Sequence, residues 1–330
     1  MMDKQFNANT SVSIFMATYN GAKFIGKQLE SLHHQNFANW QLWIRDDVSS
    51  DETVSVIKEF EEHDKRIHLI EDSKGRLGNA QNFNEVMNYS GDSDYFMFCD
   101  QDDYWFQDKI SSSLTFIKEK ERECGSNTPI AIFTDAEAVN ENLETISNSF
   151  MKKVHVNPYD KEPLNKLLAQ NYMYGCTMLL NKFAFKLSVS VPKDAEGHDY
   201  WVALVTSLYG HIFYLDKPTL KYRQHSNNVT GLKQGKLINK IKRNLTLKGW
   251  IQTNRIVDMS IRQANRLLDI KYDNPNKGKS KLVRDFVLHG TEGGLIVIPF
   301  LIKNRIFRQG KLRTLIYYLS MIRKNKNIYD

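Results

Sequence analysis

The sequence predicts an α/β fold: a mixed, mainly parallel sheet flanked by helices, followed by a basic helical region. Three observations carry this. From Ser11 to His225, short apolar runs rich in β-branched and aromatic residues alternate with amphipathic stretches of helical length. Several of those runs stop at acidic turns, such as Asp46-Asp47 and Asp100-Gln101-Asp102-Asp103. The charge then changes sign: residues 232–330 carry 22 Lys and Arg against 6 Asp and Glu, or +16, whereas residues 1–231 carry −9. Two regions with different tasks are expected, 1–231 and 232–330.

Taken in order, Ser11 to Ala17 is a strand that ends at Thr18-Tyr19-Asn20-Gly21, and Lys23 to His34 has helical spacing of Phe24, Ile25, Leu29 and Leu32. Trp40 to Arg45 is a second strand, and Glu52 to His63 a helix burying Val54, Val56, Ile57 and Phe60. Ile67–Ile70 and Tyr95–Phe98 are further strands, with a helix from Leu77 to Asn88 between them. Lys109 to Lys120 is helical, Pro129 to Thr134 a strand, and Lys152 to Lys166 a polar loop. Tyr172 to Leu180 is β-like, Phe183 to Ser188 and Val202 to Tyr209 helical, and Ile212–Leu215 and Leu220–His225 extended. Beyond residue 231 come basic helical segments, Lys236–Lys248 and Arg255–Ile270, broken around Asn274-Pro275. The apolar stripes Ile296–Ile302 and Leu312–Ile322 follow, edged by Lys303, Arg305, Arg308, Lys311 and Arg313.

The bulk composition narrows the function classes. Hydrophobic content of 41% and charged content of 25% suit a globular chain. The three cysteines, Cys99, Cys124 and Cys176, lack metal spacing and fit a reduced, cytoplasmic setting. The start of the sequence shows no signal core, and no 18-residue apolar span occurs. Stripes edged by Lys and Arg suit a helix lying on an anionic membrane surface.

The acids matter most. Asp100, Asp102 and Asp103 lie at the exit of a buried strand, where open α/β sheets bind ligands. Like charges so close repel unless a cation neutralises them, and Mg²⁺ or Mn²⁺ prefers such hard oxygen donors. Alone, this could be a solvated turn, Asp46-Asp47 an N-cap cluster, and His198-Asp199 another cap. Their order and company argue otherwise.

That order resembles the inverting glycosyltransferases of family 2, with the GT-A fold, from about Ser11 to about Gly231. The resemblance rests on Ala17-Thr18-Tyr19-Asn20, Arg45-Asp46-Asp47-Val48-Ser49-Ser50-Asp51 and Asp100-Gln101-Asp102-Asp103-Tyr104-Trp105. It continues through Gly197-His198-Asp199-Tyr200-Trp201 and Tyr222-Arg223-Gln224-His225-Ser226-Asn227-Asn228. Within the family, the pattern is most similar to bacterial polysaccharide rhamnosyltransferases. One position departs: the family has Gly where this chain has Val48. A β-branched residue does not comfortably take φ > 0, so a regular turn or a reshaped loop is expected there.

The resemblance implies a role for each matching residue. Thr18 and Tyr19 would line the nucleotide pocket, and Asp46 or Asp47 would accept from the base. Asn82 would reach the ribose or diphosphate. Asp100 would hold the ribose or a metal water, with Gln101 beside it, and Arg223 would counter phosphate charge. Asp102, Asp100 and His225 would hold the divalent cation. Asp199 would be the general base. Trp105, His198 and Trp201 would pack against sugar or acceptor. The implied reaction moves L-rhamnose from dTDP-β-L-rhamnose to a hydroxyl of a growing, lipid-linked cell-surface polysaccharide at the inner membrane face, with inversion. Other donors, such as UDP-hexose, UDP-GlcNAc or UDP-galactofuranose, are alternatives. In a different class, the basic region could belong to a non-catalytic protein binding an anionic polymer. No nucleic-acid motif accompanies it, so no nucleic-acid partner is expected. The oligomeric state stays open, with a dimer as one candidate.

Overall fold

A computed structural model of the protein describes residues 10–89, 91–125, 127–159, 161–225, 247–272 and 276–323. Ser226 to Gly231, most of the expected helix Lys236–Lys248, and Asn274-Pro275 lie outside the described residues.

The chain opens with β1 (Val12–Thr18), α1 (Ala22–His33), β2 (Trp40–Asp46), α2 (Thr53–His63), β3 (Ile67–Ile70), α3 (Asn79–Met87) and β4 (Tyr95–Cys99). There follow β5 (Tyr104–Trp105), α4 (Lys109–Cys124), β6 (Ile130–Val139), β7 (Thr145–Ser147), α5 (Phe150–Lys153) and α6 (Pro163–Leu167). A 3₁₀ turn at Gly175–Thr177 leads into β8 (Met178–Asn181), α7 (Lys182–Ser188), α8 (His198–Tyr209) and β9 (His211–Arg223). The last helices are α9 (Leu247–Leu267), α10 (Lys277–Glu292), α11 (Val297–Lys303) and α12 (Lys311–Met321).

The strands form one sheet in the order β3-β2-β1-β4-β8-β6-β9-β5, with β7 pairing β6. β3, β2, β1 and β4 are parallel neighbours. β8 runs antiparallel to β4 and β6, β9 parallel to β6, and β5 antiparallel to β9. The sheet is therefore mixed and mainly parallel.

Alternation along each strand splits the core in two, because successive side chains leave opposite faces. Ile14, Met16, Leu42, Ile44 and Met97 pack with α1, α2 and α4. Phe15, Phe96, Phe98 and Phe133 point the other way, toward α3, α7 and α8. The second cluster does not stop at residue 231. Val257, Ile261 and Ala264 of α9, Val283 and Phe286 of α10, Leu301 of α11 and Tyr317 of α12 belong to it. The basic region thus packs its apolar stripes onto the helical layer of the sheet and keeps most of its charge outside, Lys279 being turned in to the carbonyls of Ser207 and Gly210.

Three differences from the sequence expectation have physical reasons. Ile212–Leu215 and Leu220–His225 are parts of a single strand, β9, whose register to β6 shifts at Thr134/Asp135 and again before Glu137. A bulged strand breaks the clean alternation that marks a strand in sequence. The loop expected at Lys152–Lys166 has short helices at both ends, α5 and α6, too brief to show a period. Val48 does take a positive φ, +64°, and it is 60% exposed. The turn keeps the glycine-type backbone despite the β-branched side chain.

Candidate active site

Because β1, β2 and β4 are parallel neighbours in register, their carboxyl ends open on one edge. Thr18 stands opposite Asp46, and Met16 opposite Cys99, the residue before Asp100. At this edge the Thr18 hydroxyl donates to Asp46 Oδ1 at 2.8 Å, and Ser49 donates to Asp46 through its N–H at 2.7 Å and its hydroxyl at 2.6 Å. Asp47 faces inward instead. It accepts from the N–H groups of Leu77 at 2.6 Å and Gly78 at 2.8 Å, and from Arg45 at 3.2 Å. Arg45 is buried and also holds Asp72 and Asn82. Asp47 therefore pins the 72–78 loop, and Asp46 is the carboxylate left at the cleft.

That loop presents a residue the sequence reading passed over. Arg76 is exposed and lays its guanidinium 4.0 Å from the ring centre of Tyr19, itself 37% exposed. Gly75 and Gly78 flank it at φ of +68° and +80°, with nothing within 4 Å of either missing side chain. The pair of glycines around one arginine was the available signal.

The acidic turn divides its labour. Asp102 Oδ2 lies 2.6 Å from His225 Nε2. Asp103 is fully buried: Oδ1 accepts the Arg223 N–H at 3.1 Å, and Oδ2 has no hydrogen-bond partner among the described residues. Burial and the charges of Asp102 and Asp100 raise the Asp103 carboxyl well above its ordinary range. Asp100 is raised to about 7 by desolvation, then by Asp102 and Asp199. One donor atom from each of Asp100, Asp103 and Cys176 lies within 4.8 Å of the others. Buried Lys109 lies below, bonded to Thr219 at 3.1 Å and 4.7 Å from the Trp105 ring centre.

Of the expected ligands Asp100, Asp102 and His225, only Asp100 stands in that cluster, with Asp103 and Cys176, while Asp102 and His225 pair with each other. Burial keeps the Cys176 thiol far above its usual value, so it offers only a neutral sulfur. What remains is three carboxylates that share Lys109 and Arg223 as nearby cations, with the Cys176 thiol as a weak donor to Asp100 and Asp103. Such a donor set fits a hard divalent cation.

Asp199 stands at the N-terminus of α8. Its Oδ1 accepts the Tyr200 N–H at 2.7 Å, its Oδ2 the Gly175 N–H at 3.3 Å, and the Asn171 side chain also bonds it. Desolvation outweighs these bonds and lifts its carboxyl to about 6.

Six of the expected residues have other surroundings in the structure. Trp105 and Trp201 are 1% and 3% exposed, so neither ring can receive a sugar. His198 is buried, stacked at 3.7 Å on Phe83 and tilted at 4.8 Å against Phe98. Asn82 spends its amide on Arg45 and on the Thr18 and Arg45 carbonyls. Gln101 bonds both the N–H and the carbonyl of Tyr19, each at 3.0 Å. Arg223 donates to the carbonyls of Asp102, at 2.6 Å, and of Glu141. These polar residues brace the loops of the cleft from behind.

A family model described as "Glycosyl transferase family 2" matches residues 13–186, over half of the chain. The chain belongs to glycosyl transferase family 2. This glycosyltransferase is 29% identical over 231 residues to the "dTDP-rhamnosyl transferase RfbG" of Shigella flexneri, covering 66% of this chain and 73% of that one. It is 31% identical over 182 residues to the "UDP-Glc:alpha-D-GlcNAc-diphosphoundecaprenol beta-1,3-glucosyltransferase WfgD" of Escherichia coli, covering 53% of this chain and 63% of that one. Among solved structures, S. aureus TarS 1–349 in complex with UDP-GlcNAc superposes with a TM-score of 0.54 at 15% identity, over 89% of this chain and 79% of that one. The mannosyltransferase PcManGT from Pyrobaculum calidifontis, in complex with GDP-Man and Mn²⁺, gives 0.51 at 12% identity, over 91% and 78%. The family 2 glycosyltransferase therefore has the GT-A fold.

Proposed function

We propose that the protein is an inverting, cation-dependent rhamnosyltransferase that uses Asp199 as general base. The observation that carries this reading is the position of Asp199. It is a partly desolvated carboxylate lifted to about 6, and its charge is felt by Asp100 in the acidic turn. Proton acceptor and leaving-group seat thus share one cleft.

The acceptor hydroxyl gives its proton to Asp199 while its oxygen bonds to the anomeric carbon. The bond from that carbon to the diphosphate oxygen breaks on the opposite face, and the nucleoside diphosphate leaves. A β-linked L-rhamnose donor yields an α-rhamnoside. Tyr19, Asp46 and Arg76 bind the donor, with buried Thr18 holding the Asp46 carboxylate, and Asp102, Asp100 and His225 are the residues that would hold the cation. When bound, a divalent cation supplies positive charge to the departing diphosphate. Arg223 acts indirectly, by fixing the acidic turn.

The RfbG likeness supports the dTDP-rhamnose donor, and the WfgD name supports an acceptor carried on a lipid diphosphate. Residues 1–231 would then form the catalytic domain and 232–330 a membrane-facing region. Among the described residues, no helix is long and apolar enough to cross a membrane. Contact with the bilayer's inner face would come from exposed Leu295, Ile296 and Ile302 beside Lys303 and Arg305.

A thermal-shift and hydrolysis screen with Mn²⁺ or Mg²⁺ tests the donor. Stabilisation by dTDP-rhamnose above UDP-glucose, UDP-GlcNAc and UDP-galactofuranose is expected. Preference for a UDP-sugar would replace the rhamnosyl assignment.

A further inference from the structure

Away from the acidic cleft, a cavity of about 670 Å³ lies between the 155–172 segment and the turn that joins α11 to α12. Its walls have two characters. Val156, Tyr172, Phe307, Leu315 and Tyr318 make an apolar side, and His155, Lys166, Arg308 and Lys311 contribute basic groups. Among the described residues, no acidic residue lines it. The Lys166 ammonium stands 6.0 Å from the Tyr172 ring centre and 5.9 Å from that of Phe307, so charge and apolar wall meet in one place. Arg308 Nε is buried with no hydrogen-bond partner among the described residues. α12 begins at the same spot, with Gly310 before it at φ +90° and no side-chain cap. Its first N–H groups add positive potential there.

The cavity also adjoins the candidate base. Gln170 and Tyr172 line it, and Asn171 between them bonds Asp199. On the other side, the Tyr200 hydroxyl donates to the carbonyl of Leu167, in the same 155–172 segment, at 2.5 Å. The 167–172 segment thus both borders the cavity and bonds Asp199 and Tyr200.

We propose that this cavity seats the diphosphate and the first isoprenoid units of a lipid-linked acceptor, with Arg308, Lys311 and Lys166 around the diphosphate and Phe307 and Leu315 along the chain. The proposal rests on the acceptor-side reading above and assigns it a place. Charge complementarity selects an anion, and the apolar wall selects one with a hydrocarbon tail. Leu315 is 54% and Leu319 46% exposed on α12, which gives the tail an apolar track away from the cavity.

The test uses the full chain with EDTA present, so that diphosphates do not bind through a cation at the acidic turn. Calorimetric titration compares farnesyl diphosphate, inorganic diphosphate and farnesol. Farnesyl diphosphate is expected to bind at least ~10-fold more tightly than either of the others, and Arg308→Gln or Lys311→Glu to weaken it by ~3- to 10-fold. Lys311 is exposed, so its variant remains informative if Arg308→Gln disturbs folding. Leu315→Asp should weaken farnesyl diphosphate and leave inorganic diphosphate unchanged. Equal affinity for farnesyl and inorganic diphosphate, or indifference to all three substitutions, would overturn the proposal. So would displacement of farnesyl diphosphate by phosphatidylglycerol vesicles at equal lipid phosphate, which would mark a general headgroup site. Donor stabilisation in Mn²⁺, measured in parallel, separates the two readings. If it persists while farnesyl diphosphate fails to bind, the cavity assignment alone is lost. If it is absent too, the transferase reading falls with it.

Discussion

Gly197 lies directly beneath the Asp199 carboxylate, and a Cβ built on it would stand 2.7 Å from Asp199 Oδ1. The backbone of Gly197, at φ −165° and ψ 155°, is extended and open to any residue, so the constraint is the space that the Asp199 carboxylate occupies. Gly197→Ala should displace the carboxylate while the fold survives. Turnover is expected to fall ~10- to 100-fold with donor affinity unchanged, because a shift of about 1 Å in a catalytic group costs on that scale. Steady-state kinetics beside a melting curve check this. A normal rate would mean that Asp199 need not stand where it does.

Asp199 also predicts how rate depends on pH. A general base must be ionised, so activity should rise through about pH 6 and be lost below it. Asp199→Asn should lower turnover ~10²- to 10⁴-fold across the range. The stability effect has the opposite sign. The folded carboxyl is raised above its ordinary value of 3.8, so its contribution is fully present below that value and fades as pH rises through about 6. Rate and stability profiles of the wild type and Asp199→Asn test both signs.

Removing the cation should separate binding from folding. With EDTA, transfer and donor stabilisation should disappear while the apo melting point stays unchanged. Asp102→Asn should do the same in saturating Mn²⁺, and His225→Gln should raise the Mn²⁺ requirement ~10-fold, the range seen when a metal site loses a supporting partner. Full activity in EDTA would exclude the cation role.

His198 gives a prediction about stability alone. Desolvation lowers its pKa to about 3, from 6.5, and neither ring nitrogen has a hydrogen-bond partner among the described residues. The unfolded chain takes up a proton below about pH 6.5 that the folded state refuses until about 3, so His198 destabilises the protein as pH falls through that window. His198→Leu should flatten the stability profile there and cost under ~1 kcal/mol at pH 7, as near-isosteric core changes do. Urea unfolding at several pH values measures it.

Val48 carries a strained backbone in an exposed turn. Releasing a left-handed β-branched residue gains about 1–2 kcal/mol, and the freer unfolded glycine returns ~0.5–1, so Val48→Gly should stabilise slightly. A lower melting point would show that the side chain makes a compensating contact.

The sheet was legible because its strands are short apolar runs cut by polar turns. The acids were legible because they fall at strand exits, a position that sequence order alone can reveal. The environment of the larger side chains was not. Trp105 and Trp201 are equally suited to a sugar face or a core, and only the packing of β5 and α8 decides for the core. Asn82, Gln101 and Arg223 posed the same problem in polar form: a donor that would satisfy a phosphate satisfies a backbone carbonyl as well. Arg76 escaped notice because an exposed arginine in a glycine loop has no periodic signature.

The shared core of the sheet and the last four helices has a consequence for synthesis. Phe15 and Phe98, made early, lie in the same apolar cluster as Val283, Leu301 and Tyr317, made later. On the ribosome, the outer apolar surface of the helical layer around α8 must wait for α9 and the helices packed on it, leaving that surface exposed meanwhile. The newborn chain would therefore depend on chaperone shelter until late in translation.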